Sequence, residues 1–224
     1  MKKQQRQSLK NKYKKQVEKV HYQTSEYIDE QRWLSYYLQM DSVRHVSLKL
    51  NKEKLNVLEI GVGNGLVTSV LKLLGHRVAT MDFAKDLNPD ILCALPKVPT
   101  SRKYDCVICC EVLEHMQYKD SQLSLKNMAR IAKYIIVSIP DKTPYISFVI
   151  KIPLIKPQGI IFSLPFKHVP HKFLGEHYWE LGTFGIGKDK FLKSVAYSKL
   201  TSIKDFRIKT YPWHHFFILE SLAS

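Results

Sequence analysis

The sequence predicts an α/β fold, a doubly wound sheet of seven strands that is mostly parallel and carries an antiparallel C-terminal strand. Three observations lead there. Apolar runs at 55–60, 77–81, 104–110 and 134–139 alternate with stretches of helical spacing, which implies parallel strands joined by crossover helices. The runs are nearly continuous rather than alternating apolar and polar, as strands covered on both faces must be. The last two apolar stretches, 202–209 and 214–219, are linked only through Tyr211 and Pro212, too short a path for a crossover, so they pair antiparallel. At 224 residues with 45% hydrophobic side chains, the chain can bury one sizeable core, which favours one domain with small appendages.

Taken in order, residues 1–20 form a basic arm and 21–52 an N-terminal helical cap, where Tyr27, Ile28, Trp33, Leu34, Tyr37, Leu38, Val43 and Val46 recur at helical spacing. Residues 53–224 form the main domain. Its first strand, 55–60, runs into Gly61, Gly63 and Gly65 and a helix at 66–74 that Gly75 ends. A second strand at 77–81 leads to Asp82, a third spans 90–95 and a fourth 104–110; a helix at 121–132 precedes a fifth strand at 134–139, stopped by Pro140. Between about 143 and 181 the alternation lapses into a Pro-interrupted, aromatic and basic insertion, after which a helix at 188–196 resumes the pattern.

Charge and cysteine usage narrow the function classes. Lys plus Arg is 35 against 20 Asp plus Glu, a net +15; eight basic residues against Glu18 give the first 20 residues +7 and leave +8 for the rest. Such a chain is drawn to phosphate polymers, anionic lipid surfaces or negatively charged small molecules. No segment approaches the ~20 uncharged apolar residues of a membrane-spanning helix, and the N-terminus lacks the apolar centre of a secretory signal. Three of the four cysteines, Cys106, Cys109 and Cys110, sit in one apolar run and read as buried thiols; Cys106 and Cys109 point to opposite faces of a strand and cannot share a metal. These features suggest a cytoplasmic protein, with the inner face of the membrane as a peripheral location open to it.

The loop after the first strand carries the chemistry. Gly61, Gly63 and Gly65 let the backbone turn sharply and approach a ligand at a helix N-terminus. The dinucleotide fingerprint needs its third glycine one residue later, where Leu66 stands. Glu59 before the loop would repel a diphosphate and favour an amino group, and Asp82 can accept from two ribose hydroxyls. A ligand with a ribose, a cationic amino-acid end and no phosphate fits both, and S-adenosyl-L-methionine is such a ligand.

The segments 57–65, 78–82, 104–115 and 136–140 resemble, in order and spacing, the successive motifs of class I S-adenosylmethionine-dependent methyltransferases, which have a Rossmann-like sheet. The resemblance is to the small-molecule branch that includes ubiquinone-pathway O-methyltransferases and enzymes of surface-polysaccharide clusters. It implies that Glu59, Gly61, Gly63, Asn64 and Gly65 hold the methionine portion, that Asp82 and Phe83 hold the ribose and adenine, and that the Cys110-Glu111 backbone lies on the cofactor's other side. The acid that family members place after the third strand is absent: Ala94 follows Cys93 there, leaving the adenine amino group to the backbone or to Asp90. The implied activity is methylation, at oxygen, of a small-molecule, saccharide or lipid-linked acceptor. An RNA methyltransferase using the basic arm and a catalytically silent cofactor-binding partner are the alternatives. Against a base methyltransferase, Glu111 to Glu114 stand where an Asn/Asp-Pro-Pro-Tyr-like tetrapeptide would, placing negative charge in the path of a polyanion.

Glu111, Glu114 and His115 follow the fourth strand at the carboxyl edge of the sheet, where open α/β sheets bind ligands. His115 is a candidate general base, and the three residues together are donors a divalent ion would accept. His168, His171, Glu176, His177 and Glu180 cluster in the insertion, with His171 and His177 the candidates for aligning the acceptor; their spacing matches no standard metal template, and no metal is expected. The apolar and basic stretch 145–166 reads as a lid packed on its own core or as a surface for a membrane interface. His214 and His215 read as sheet residues, one of them facing outward.

Overall fold

The computed structural model describes residues 19–99, 101, 103–154, 158–164, 169–173 and 175–222, so most of the basic arm and His168 lie outside the described residues. A helical turn at Lys19–Tyr22 precedes α1 (Glu30–Leu50), which Asp29 caps by accepting from the Arg32 amide at 2.7 Å and which Asn51 ends in left-handed backbone. Then follow β1 (Asn56–Ile60), α2 (Leu66–Leu73), β2 (Arg77–Asp82), β3 (Ile91–Leu92), β4 (Tyr104–Cys110), α3 (Tyr118–Ala129), β5 (Ala132–Pro140), β6 (Tyr145–Ile150), β7 (Gln158–Ser163), α4 (Lys188–Tyr197), β8 (Leu200–Arg207) and β9 (His214–Ser221).

Seven strands form one sheet in the order β3-β2-β1-β4-β5-β9-β8; β3, β2, β1, β4 and β5 pair in parallel, and β9 is antiparallel to both β5 and β8. The order reverses between β1 and β4, so the carboxyl ends of these strands open a crevice, the usual ligand position in such sheets. Each face of the sheet buries its own core. One gathers Leu58, Met81, Val107, Cys109, Ile135, Trp179, Phe191 and Phe217; the other gathers Val43, Val57, Leu71, Cys106, Ile108, Ile136 and Ile218. Cys106 and Cys109 therefore point into opposite layers, and burial pushes both thiols well above their ordinary range.

Several boundaries differ from the expectation. The third strand is only Ile91–Leu92, because the chain turns away after Cys93. α3 begins at Tyr118, three residues early: the Tyr118 ring meets Trp179 edge-on at 4.9 Å, and that contact extends the first turn. Pro140 does not stop β5 but ends it as a paired residue opposite His214. The insertion is not irregular throughout; it holds a separate antiparallel ribbon, β6 with β7.

Candidate active site

The strand-loop-helix unit β1–α2 builds the first wall. Gly61 has φ +84°, and a Cβ there would lie 2.5 Å from Val112 Cγ2, so the β1 end and the post-β4 turn approach as closely as they do only around a glycine. Gly63 has φ +54° and lies beneath the ring of Tyr22. Glu59 is buried beside this loop and accepts from the Thr68 hydroxyl of α2; burial lifts its carboxyl to about 7, against the pull of the Thr68 hydrogen bonds. Asp82 is also buried and holds the loop in place, its Oδ2 accepting from the Val62 amide and its Oδ1 from the Ala84 amide, both at 2.9 Å. Each oxygen keeps a second lone pair for a ligand hydroxyl. Phe83 stands 58% exposed beside it, an apolar surface at the crevice edge.

The N-terminal cap closes this wall with aromatic residues that sequence reasoning did not assign to the site. Asn64 Nδ2 donates to Tyr36 Oη at 3.1 Å, Tyr27 and Tyr36 are hydrogen-bonded, and the Arg32 guanidinium lies 3.9 Å over the Tyr27 ring. Burial raises Tyr22 and Tyr36 above the ordinary phenol range, so both remain neutral donors. Tyrosines at 22, 27 and 36 in a segment otherwise read as a cap were the available signal. Asp90, the proposed substitute for the missing adenine contact, accepts through Oδ2 from the Thr80 amide and hydroxyl at 2.8 and 2.9 Å.

The second wall rises from β4. Cys110 ends the strand, and Glu111 adopts a left-handed φ of +54°, costly for a residue with a Cβ and a mark of local constraint at ligand sites. Ser138 Oγ donates to Glu111 Oε1 at 2.7 Å, and His214 Nε2 lies 3.4 Å from Glu111 Oε2. Neither His214 nor His215 faces outward, contrary to expectation. His214 is drawn to Glu111, and His215 is buried between Asp141 (2.8 Å) and Asp205 (3.3 Å), because β9 is an interior strand with elements on both sides.

Next to Glu111, the post-β4 turn meets the tail of the insertion. The Tyr178 amide donates to the Glu114 carbonyl at 2.7 Å, and Trp179 Nε1 donates to the Leu113 carbonyl at 3.1 Å. This clamp brings His115 and His177 together with their rings edge-on at 4.9 Å. His115 Nδ1–H donates to the Glu176 carbonyl at 3.1 Å, and His177 Nδ1–H donates to Glu180 Oε1 at 2.6 Å. With Nδ1–H committed to the Glu176 carbonyl, a neutral His115 carries its lone pair on Nε2. His171 acts differently: its Nε2 donates to the His177 carbonyl at 3.0 Å, holding the loop rather than entering the site. Burial, with His177 beside it, lowers His115 to about 4, so this imidazole is neutral around pH 7. Burial pushes Glu180 up, yet the His177 bond and Lys142 at 2.5 Å hold it below the usual carboxylate range. Glu114 is wholly buried, and neither oxygen has a hydrogen-bond partner among the described residues; burial, then Glu111 and Glu180, raise it well above an ordinary carboxyl. Donor atoms of Glu114, His115 and His177 lie within 4.8 Å of one another, a grouping able to take a divalent ion.

Beyond β5, a cavity of about 390 Å³ is lined by Asp141, Thr143, Lys188, Asp205, Arg207 and His215 among others. Its charged groups neutralise one another: His215 bridges the two aspartates, Arg207 lies 3.7 Å from Asp141, and Lys188 lies 2.8 Å from Asp205.

The comparisons agree with this geometry. The family model of a methyltransferase domain matches residues 30–182, more than half of the chain. No curated protein matches the chain. Among solved structures, a Clostridium acetobutylicum S-adenosylmethionine-dependent methyltransferase superposes with a TM-score of 0.57 at 10% identity, covering 83% of this chain and 92% of that one. A Burkholderia thailandensis 1,6-didemethyltoxoflavin-N1-methyltransferase, solved with its acceptor and S-adenosylhomocysteine, gives 0.55 at 12% identity over 84% and 80%. A Synechocystis magnesium protoporphyrin IX methyltransferase with bound S-adenosylmethionine gives 0.55 at 14% identity over 85% and 81%. At such identities these likenesses establish the fold, that of S-adenosylmethionine-dependent methyltransferases, and the family match establishes that this chain belongs to the methyltransferase-domain family.

Proposed function

We propose that the protein transfers a methyl group from S-adenosylmethionine to the hydroxyl oxygen of a small-molecule, saccharide or lipid-linked acceptor held between the post-β4 turn and the tail of the insertion. The observation that carries this reading is the pair of buried carboxylates, Glu59 and Asp82, on neighbouring strand ends with the glycine loop between them. The fit to the cofactor rests on charge and shape: Glu59 suits an ammonium group, Asp82 has lone pairs for ribose hydroxyls, and Gly63 leaves room at a loop that Tyr22 covers. When bound, the cofactor supplies a sulfonium-linked methyl group, and the chain's work is then to exclude water and align the acceptor. Asn64, Gly65, Phe83 and the Cys110-Glu111 backbone complete the cofactor side.

On the acceptor side, His115 presents a neutral imidazole whose lone pair is on Nε2, suited to take a hydrogen bond from an acceptor hydroxyl. An imidazole lowered to about 4 is a weak base, so its contribution is alignment more than deprotonation. His177, braced by Glu180, serves the same pocket, and His171 positions His177 through the backbone. A metal-assisted reading of this pocket is favoured by one observation, the convergence of Glu114, His115 and His177; activity removed by a chelator and restored by one divalent ion would select it. The test of the function is uptake of labelled methyl from S-adenosylmethionine by separated metabolite, lipid and polynucleotide fractions. Label in a small-molecule or lipid fraction is expected; label only in polynucleotide would overturn the acceptor class, and label in none would favour a silent cofactor-binding protein.

A further inference from the structure

The β6–β7 ribbon has two unlike faces. Directly opposed residues share a face in an antiparallel pair, so Tyr145, Ser147, Val149, Gly159, Ile161 and Ser163 form one face and Ile146, Phe148, Ile150, Ile160 and Phe162 lie on the other. The first face rests in part on the domain, with Tyr145 and Val149 still 39% and 45% exposed: Arg207 lies 5.3 Å from the centre of the Tyr145 ring, Lys209 packs where Gly159 has no side chain, and Ile161 and Ser163 line the cavity beyond β5. The second face points away. Its five large side chains are 48–59% exposed, and the apolar surface continues past the strand through Ile152 at 54% and a fully exposed Leu154.

We propose that this outward face is a membrane-docking surface that seats in the interfacial region of an anionic bilayer. A contiguous apolar face of this size marks an interaction site rather than ordinary surface. Taking about 200 Å² for a fully exposed large side chain, its five residues with Ile152 and Leu154 present about 870 Å². A second copy of this chain would set an equally basic molecule, net +15, against that face, which argues against self-association. Charge selects the lipid. Lys151 follows the apolar strand directly, Lys209 packs beside Gly159 of the ribbon, and the chain carries a net +15, nearly half of it in the first 20 residues. Apolar side chains among basic groups are the combination that binds anionic bilayer surfaces, with area and charge each contributing. No helix among the described residues is long and apolar enough to cross a membrane, so the contact is peripheral. The inference does not depend on the acceptor's identity.

The test is flotation of the full-length protein with vesicles of phosphatidylcholine alone and with added phosphatidylglycerol. The wild-type chain should float with the anionic vesicles and much less with the neutral ones. Phe148→Ser with Ile160→Ser leaves the charge unchanged and alters side chains that face solvent, so melting temperature and cofactor affinity should stay put while partitioning falls at least tenfold. Phe148→Trp should gain blue-shifted emission on adding anionic vesicles. Flotation as strong in the double variant as in the wild type would assign binding to the basic arm alone and overturn the proposal, as would absence of flotation by the wild type. A micromolar dimer abolished by the same two substitutions would overturn it in favour of a second copy.

Discussion

Replacing Glu59 by Gln tests the cofactor wall through two measurements with opposite signs. The carboxyl is nearly fully buried and lifted from 4.5 to about 7, chiefly by burial. Between these values the folded state holds a proton that the unfolded state has lost. Stability therefore falls as pH rises through this window, by between about 3 and 4 kcal/mol in full at ~1.4 kcal/mol for each pH unit between 4.5 and about 7. Gln keeps the shape and an acceptor for Thr68 but does not ionise. Urea unfolding of the ligand-free protein at pH 5 and pH 8 should show the wild type losing about 3 kcal/mol relative to Glu59→Gln. Cofactor binding should respond the other way. An ammonium group pairs with the ionised carboxylate, so wild-type affinity should rise as pH passes about 7, while that of the variant should stay flat. At pH 8 the variant should bind roughly 10- to 100-fold more weakly, the equivalent of a lost charge-assisted hydrogen bond of ~1.5–3 kcal/mol. Parallel pH profiles for the two proteins, in stability and in calorimetric affinity alike, would refute the assignment of a buried, titrating Glu59 to the cofactor's amino group.

Three further outcomes follow from the same geometry. His177→Ala should lower methyl transfer at least tenfold while leaving cofactor affinity near wild type, because the side chain belongs to the acceptor wall; equal loss of both would mean that the insertion's tail supports the fold instead. Gly61→Ala should cost more than ~1 kcal/mol in denaturant unfolding and remove cofactor binding, since φ is +84° and the new Cβ would strike Val112; near-wild-type stability would show that the two walls are not held in contact. Asp141→Asn should cost about 3–5 kcal/mol in the same assay, since it leaves the almost fully buried Arg207 facing a neutral amide and weakens the His215 bridge. A loss below ~1 kcal/mol would show that this charged cluster is solvated.

The parallel half of the sheet is legible in the sequence because its strands are buried on both faces and so are written as unbroken apolar runs. Tyr104–Cys110 is the clearest case, since the run and the strand coincide. The glycine loop is legible for a related reason: glycines and carboxylates at fixed offsets from a strand end are local features, and Glu59, Gly61, Gly63 and Asp82 lie at one crevice because β1 and β2 are adjacent in register. What escapes the sequence is whatever depends on distant segments meeting. Glu114 and His115 are read correctly as a strand-end cluster, but the meeting of His115 with His177 requires Trp179 to dock on the Leu113 carbonyl. His214 joins Glu111 only because β9 inserts beside β5, running antiparallel, which puts the start of one strand at the end of the other.

The ribbon escapes for the opposite reason. A strand pattern is recognised by a polar face that alternates with an apolar one, and β6 and β7 set Tyr145, Val149 and Ile161 among Ser147, Gly159 and Ser163 on the face that rests on the domain, so their period is blurred. A two-stranded ribbon is marginal alone in water. One face is covered in part by the stems of Arg207 and Lys209, residues that sequence reasoning would give to solvent. The other face has no such cover among the described residues, and the apolar excess that hides the hairpin from pattern reading is the same excess that calls for an apolar environment outside the chain. The proposed docking face thus rests on a local disagreement between a segment's composition and its exposure, as the proposed crevice site rests on strained Glu111 and buried Glu59.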